Sequence, residues 1–165
     1  MARPKPQPQP DEDMTASSGA ADDSLDVIEL DQNLDDYPEP ELLPPGIYEA
    51  ELQAVSEKTN QKGTGKYYAI EFVIPPENFP ADYDVDNWPE GLKLFYNLLR
   101  VPTSGDRRSV ANIRKFIEKI GLAVDTPRID PNEWIGRHAR LRVEHGTWEG
   151  NKREQIARNG IQPTA

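Results

Sequence analysis

Apolar and polar side chains alternate most clearly from Ile47 to Val55, where Tyr48, Ala50, Leu52 and Ala54 share one face and Glu49, Glu51 and Gln53 the other. A period of two over such a run predicts a half-buried strand. Ser56 to Lys66 is polar, contains Gly63 and Gly65, and reads as a flexible loop bearing Lys58, Lys62 and Lys66. Tyr67 to Ile74 predicts a second strand with Tyr68, Ile70, Phe72 and Ile74 on one face, stopped by Pro75-Pro76. A third runs from Leu92 to Val101; Leu92, Leu94, Tyr96 and Leu98 alternate with Lys93, Phe95, Asn97 and Leu99, so both faces are apolar and the pattern leaves its inward side open.

The period then changes. Val110, Ile113, Ile117 and Ile120 recur at helical spacing with Phe116 beside them, after the capping residues Thr103 to Asp106 and before Gly121, which predicts a helix of about four turns. Asp130-Pro131 reads as a cap and first position of a short turn through Trp134. Ala139, Leu141 and Val143 alternate with Arg140 and Arg142 in a fourth strand, Gly146 to Lys152 turns the chain, and Arg153 to Arg158 returns as a fifth. Five strands with one helix between the third and fourth is the order of a mainly β OB-fold, a five-stranded Greek-key barrel that closes its sheet edges.

Charge divides the chain in two. Residues 1–45 carry 12 acidic side chains against Arg3 and Lys5, whereas residues 46–165 carry 17 acidic and 17 basic, so the net charge of −10 belongs to the leader. The leader also holds 8 of the 16 prolines. With so little apolar periodicity it cannot bury enough surface to offset the entropy of ordering its backbone, which predicts a disordered acidic arm over 1–45 and one OB domain over 46–165. Leu25, Val27, Ile28, Leu30 and Leu34 lie among the acidic residues, a pattern able to dock on a partner or fold back on a basic surface. The plainer reading, a solubilising tail, is equally compatible with the composition. There is no cysteine, Met1 to Pro10 lacks the apolar core of a secretory signal, and no stretch reaches the roughly 20 apolar residues of a membrane span. The expectation is a soluble cytoplasmic protein.

Motifs for chemistry fail on inspection. Asp82, Asp84 and Asp86 have the opening spacing of a calcium loop, but Asn87 stands where glycine is needed and Lys93 where a bidentate glutamate is needed. Gly63-Thr64-Gly65-Lys66 lacks the earlier glycine of a phosphate loop and the hydroxyl that must follow its lysine. His138 and His145 have no metal-ligand partners at suitable spacing. No cofactor, metal or catalytic residue is expected, and the chain reads as a non-enzyme.

What remains is a set of cations interleaved with aromatics. OB-folds receive oligonucleotides on the face of strands two and three, between the loops joining strands one to two and four to five. The first loop supplies Lys58, Lys62 and Lys66 beside Tyr67, the third strand Lys93 and Phe95, the fourth Arg140 and Arg142, and the last hairpin Trp148, Lys152 and Arg153. Cations follow phosphates while ring faces stack on bases, which suits single strands and does not read sequence. Trp148, between Gly146 and Gly150, is the best stacking candidate, because a core tryptophan seldom lies at a hairpin tip.

The chain also resembles the phage-type single-stranded-DNA-binding proteins with an OB-fold. The resemblance rests on Leu43-Pro44-Pro45-Gly46-Ile47-Tyr48-Glu49-Ala50, Lys62-Gly63-Thr64-Gly65-Lys66-Tyr67-Tyr68, Phe95-Tyr96-Asn97-Leu98, Lys119-Ile120-Gly121-Leu122, and Trp134-Ile135-Gly136-Arg137 ahead of Arg140-Leu141-Arg142-Val143, in that order over about residues 43–160. It implies a non-enzymatic binder acting in phage DNA replication or recombination within a bacterial host cell. One departure is that such proteins commonly carry their acidic segment at the C-terminus, whereas here it precedes the domain. Single-stranded DNA is thus the expected partner, with replication or recombination proteins reached through the acidic arm, and the two-sided apolarity of strand three suggests a homo-oligomer. Two other readings stand beside it: an OB-type protein-interaction module that does not itself bind nucleic acid, and, less favoured, a metal-dependent nuclease.

Overall fold

A computed structural model describes residues 24–164. It divides into a unit ending at Glu39 and a compact unit from Pro40 onward. In the first, residues 24–39 form one 3-10 turn, Leu34–Asp36, and Leu25, Val27, Ile28 and Leu34 are exposed. The remainder of the predicted arm, residues 1–23, lies outside the described residues.

The compact unit is one antiparallel sheet of five strands with a single α-helix: β1 (Gly46–Thr59), β2 (Lys66–Ile74), β3 (Leu92–Arg100), α1 (Arg107–Lys119), β4 (His138–Trp148) and β5 (Asn151–Gln162). Strand order across the sheet is β3-β2-β1-β4-β5. The expected closure is not made, since no ladder joins the edge strands β3 and β5. Trp88, Arg153 and Gln155 instead line a cavity of about 500 Å³ between the two edges.

Bulges explain where simple alternation fails. Tyr48, Ala50 and Leu52 are buried as predicted, but the β1–β2 register shifts between Leu52 and Ala54, so Ala54 turns outward and Val55 packs inward. An extra residue in one strand reverses the facing of everything after it. The same device acts in β3, where the register shift opposite Tyr68 and Ile70 buries Leu99 and leaves Leu98 67% exposed. A third, larger irregularity lies in β5: Leu141 opposes Ile161 but Val143 opposes Ile156. The intervening turn holds Asn159 at φ 55°, and a Cβ on Gly160 would stand 2.7 Å from the Ala157 carbonyl oxygen, so only glycine fits there.

The helix follows its sequence pattern except at Val110, expected on the buried face but 45% exposed in the first turn. Ile113, Phe116, Ile117 and Ile120 are buried, Gly121 ends it at φ 84°, and Asp106 caps it by accepting from the Ser109 N–H at 3.1 Å. Hydrogen bonds from Ser109, and more weakly the charge of Arg100, hold the Asp106 carboxyl below its ordinary pKa. A carboxylate with a depressed folded pKa stabilises above its unfolded pKa, and that contribution is lost as pH falls through the folded value. Asp106→Ala is therefore expected to lower the denaturation midpoint at neutral pH, with the gap to the parent narrowing in the acid range. A gap independent of pH would show that the carboxylate is not the cap.

Helix and sheet meet around Trp134, 1% exposed, whose ring packs edge-on against Tyr68 at 5.3 Å and Phe116 at 5.2 Å. Phe116 in turn stacks on Tyr96 and lies edge-on to Phe72. Burial in this cluster pushes the Tyr96 phenol above its ordinary pKa. The folded unit reaches back before Gly46: Leu43 is fully buried, its N–H donates to Glu154 Oε2 at 2.8 Å, and its carbonyl meets His145 Nε2 at 2.8 Å. Tyr48 and Tyr83 donate their hydroxyls to the Pro44 and Glu41 carbonyls, tying down the same segment.

Candidate nucleic-acid interface

Strand β2 places alternate residues on opposite faces, so the core residues Tyr68, Ile70 and Phe72 send Tyr67, Ala69 and Glu71 to the outer face. Directly opposed residues of neighbouring strands share a face. Lys58 opposes Tyr67 on one side and Arg100 opposes it on the other, giving a row of cation, ring and cation across β1, β2 and β3. Lys62, Tyr67 and Arg100 also line one concavity of about 550 Å³ with Asn60 and Thr64.

The loop beneath this row is shorter and tighter than the sequence suggests. β1 extends to Thr59, so Lys58 is a strand residue, and Lys66 already begins β2. Asn60 closes the turn through its backbone, N–H to the Gly65 carbonyl at 2.9 Å, and through its side chain, which accepts from the Thr64 N–H and donates to the Thr64 hydroxyl. Such a turn presents Lys62 from a fixed base.

A second cluster lies at the far end of β3. Lys93, Phe95 and Arg153 share the cavity between the edges, and Phe95 is 60% exposed. The Arg153 guanidinium stands 4.9 Å over the ring of Trp148, itself 56% exposed. Trp148 is the last residue of β4, paired with Asn151 across a two-residue turn in which Glu149 and Gly150 both have positive φ. Two positive φ values give the hairpin turn whose twist matches its strands. Lys93 Nζ lies 4.0 Å from Glu71 Oε2, which offsets the one carboxylate directly opposite Phe95. Phe95 and Arg100 oppose Glu71 and Tyr67, four residues apart on β2 and so about 13 Å along the sheet at about 3.3 Å per residue, so the clusters are two ends of one track.

Four expected site residues fall elsewhere. Lys66 alternates to the face opposite Tyr67 and lies 4.0 Å from Glu57. Lys152, opposite Thr147, points away from the side shared by Arg153 and Trp148. Arg140 opposes Glu49, nine residues before Lys58 on β1 and so near the other end of that strand from the Tyr67 row. Arg140 and Arg142 donate to the Thr164 and Arg158 carbonyls, which engages them with the β5 end of the chain. Arg100 joins the candidate site from the structure: as the last residue of a strand it carries no local signal in the sequence, and only the register sets it beside Tyr67.

Asp84, from the rejected calcium pattern, accepts from the Asp86 N–H and caps the 3-10 turn Val85–Asn87. Among the described residues there is no cluster of three or more His, Asp or Glu arranged to hold a metal ion, and no helix long and apolar enough to cross a membrane. Compared with known proteins, the chain matches no family model and no curated relative.

Proposed function

We propose that this protein binds single-stranded DNA without strong sequence preference, through the outer face of β2 and β3, and that it takes no covalent step. The observation carrying this reading is the Lys58–Tyr67–Arg100 row, continued along β3 to Phe95 and Lys93, which share a cavity with Arg153 of β5 set over Trp148. Phosphates meet cations and bases meet ring faces, the two interactions that sequence-tolerant single-strand binders combine. The strand order agrees with an OB-type barrel left open along the β3–β5 seam, whose binding face is this one. A role in phage replication or recombination, in a bacterial cytoplasm, accords with the resemblance in the sequence.

Fluorescent oligo-dT titrated with the full chain at low salt, then with added salt, tests the reading. Binding that weakens with salt along a straight line in log-log form is expected, with a slope of about 0.7 per phosphate contacted. No binding at low salt would overturn it. Trp148→Ala is expected to weaken binding by about 1–3 kcal/mol, the worth of one base stack. A module that receives acidic proteins through its cations would lose little on that substitution, so an unchanged affinity assigns the face to protein contact.

A further inference from the structure

Five cations lie within α1, Arg107, Arg108, Arg114, Lys115 and Lys119, against the single acid Glu118. Glu118 is 3.9 Å from Arg114 on one side of the helix. Arg108, Asn112, Lys115 and Lys119 follow one another at helical spacing on another face, and among the described residues none of these three cations has an ion-pair partner. Arg108 and Lys115 are exposed, and Lys119 is half-buried.

This face is continuous with the open seam. Asn112, Lys115 and Lys119 line a polar cavity of about 230 Å³ together with Tyr96 and Leu98 of β3 and Asn159 of the β5 bulge. The two cavities therefore lie along the same pair of strand edges. One is lined by β3 residues 92–95 and β5 residues 153–155, the other by the next residues of β3 and by β5 residues 159 and 161.

Resting on the proposed function, we infer that a bound single strand continues from the β2–β3 face along the unclosed β3–β5 seam onto the basic face of α1. Lys115 and Lys119, one turn and about 6 Å apart along the axis, would neutralise successive phosphates. The amides of Asn112 and Asn159 offer donors and acceptors beside them, and exposed Leu98 gives an apolar surface for a base or sugar. The seam left unpaired in the sheet is thus the path of the strand, and the bulge at Asn159 shapes its far wall.

The test compares the full chain with its Arg108→Gln/Lys115→Gln/Lys119→Gln variant on oligo-dT from about 4 to about 30 nucleotides, a span bracketing the about 4–16 nucleotides that one such domain covers. Glutamine keeps helix propensity, and circular dichroism confirms the fold. The expected result is a salt slope lower by about 2 on the long oligonucleotides, with the loss vanishing as they shorten. An unchanged slope on long oligonucleotides, while wild type binds them, overturns this inference and leaves the β2–β3 reading standing. Absence of wild-type binding at every length overturns both. A labelled peptide of residues 24–39, tested in parallel, covers the rival occupant: if the variant loses the peptide and keeps its oligonucleotide slope, the helix face receives acidic chains and the inference is wrong.

Discussion

Replacing Trp134 with alanine is expected to cost about 3–5 kcal/mol of folding stability, the usual loss for truncating a buried tryptophan. Domains have about 5–15 kcal/mol in total, so the variant should lose a fifth or more of its margin. The reason is position as well as size. Trp134 touches Tyr68 of β2 and Phe116 of α1, so it joins the helix to the sheet, and each edge-on ring pair adds about 0.5–1.5 kcal/mol beyond burial. Urea denaturation followed by circular dichroism measures the change, and Trp134→Phe should recover much of it by filling part of the cavity. A loss under about 1 kcal/mol for the alanine variant would mean that the site collapses and that Trp134 is not the joint. Under the proposed function, the folded fraction below this lower midpoint should still bind oligonucleotide, because Tyr67 and its flanking cations sit on the other side of β2 from the indole.

The helix was legible because its signal is local. Ile113, Phe116, Ile117 and Ile120 mark one face of a 3.6-residue period, and Asp106 and Gly121 bound it, so nothing distant needs to be known. The strands were legible as strands, but not in their facing beyond a bulge. Ala54 was expected to face inward and Leu98 shared a face with Leu94; the register shifts put both outside. A period of two contains no sign of where an extra residue enters, since the insertion is decided by pairing with another strand. Closure of the sheet depends on the same information. The β5 turn through Asn159 and Gly160 was readable only as part of a strand or its end, and it is there that the second seam cavity forms.

The candidate site shows the same division between local and non-local knowledge. Tyr67, Lys58 and Lys62 group together in the sequence because they are close to one turn, and Trp148 and Arg153 because they flank another. Lys66 and Lys152 share that nearness in sequence, but alternation, which sends neighbours in a strand to opposite faces, places Lys66 across the strand from Tyr67 and Lys152 away from Arg153 and Trp148. Arg140 and Arg142 lie on a cationic strand, but their guanidinium groups donate to the Thr164 and Arg158 carbonyls at the β5 end of the chain. The basic stripe on α1 was available in principle, since Arg108, Lys115 and Lys119 recur at helical spacing; an overall balance of zero charge in the domain hid it. Electrostatic footprints depend on where cations gather, and a domain average removes that information.

The row across β1, β2 and β3 is the place where substitution should matter most for binding. Tyr67→Ala alone removes one stacking surface, worth about 1–3 kcal/mol, or about 5- to 150-fold in affinity. Adding Lys58→Gln and Arg100→Gln removes two phosphate contacts, so the salt slope should fall by about 1.4 as well. These losses differ in kind, and that difference identifies the parts: the tyrosine change should persist at high salt, whereas the cation changes should shrink as salt rises. Lys66→Gln is the internal control, because Lys66 has the same charge and adjoins Tyr67 in sequence but lies on the opposite face beside Glu57. If Lys66→Gln weakens binding as much as Arg100→Gln does, attraction is set by total charge and the row has no special standing. If Arg100→Gln costs affinity and slope while Lys66→Gln costs neither, the strand runs over the outer face of β2, where the register places ring and cations side by side.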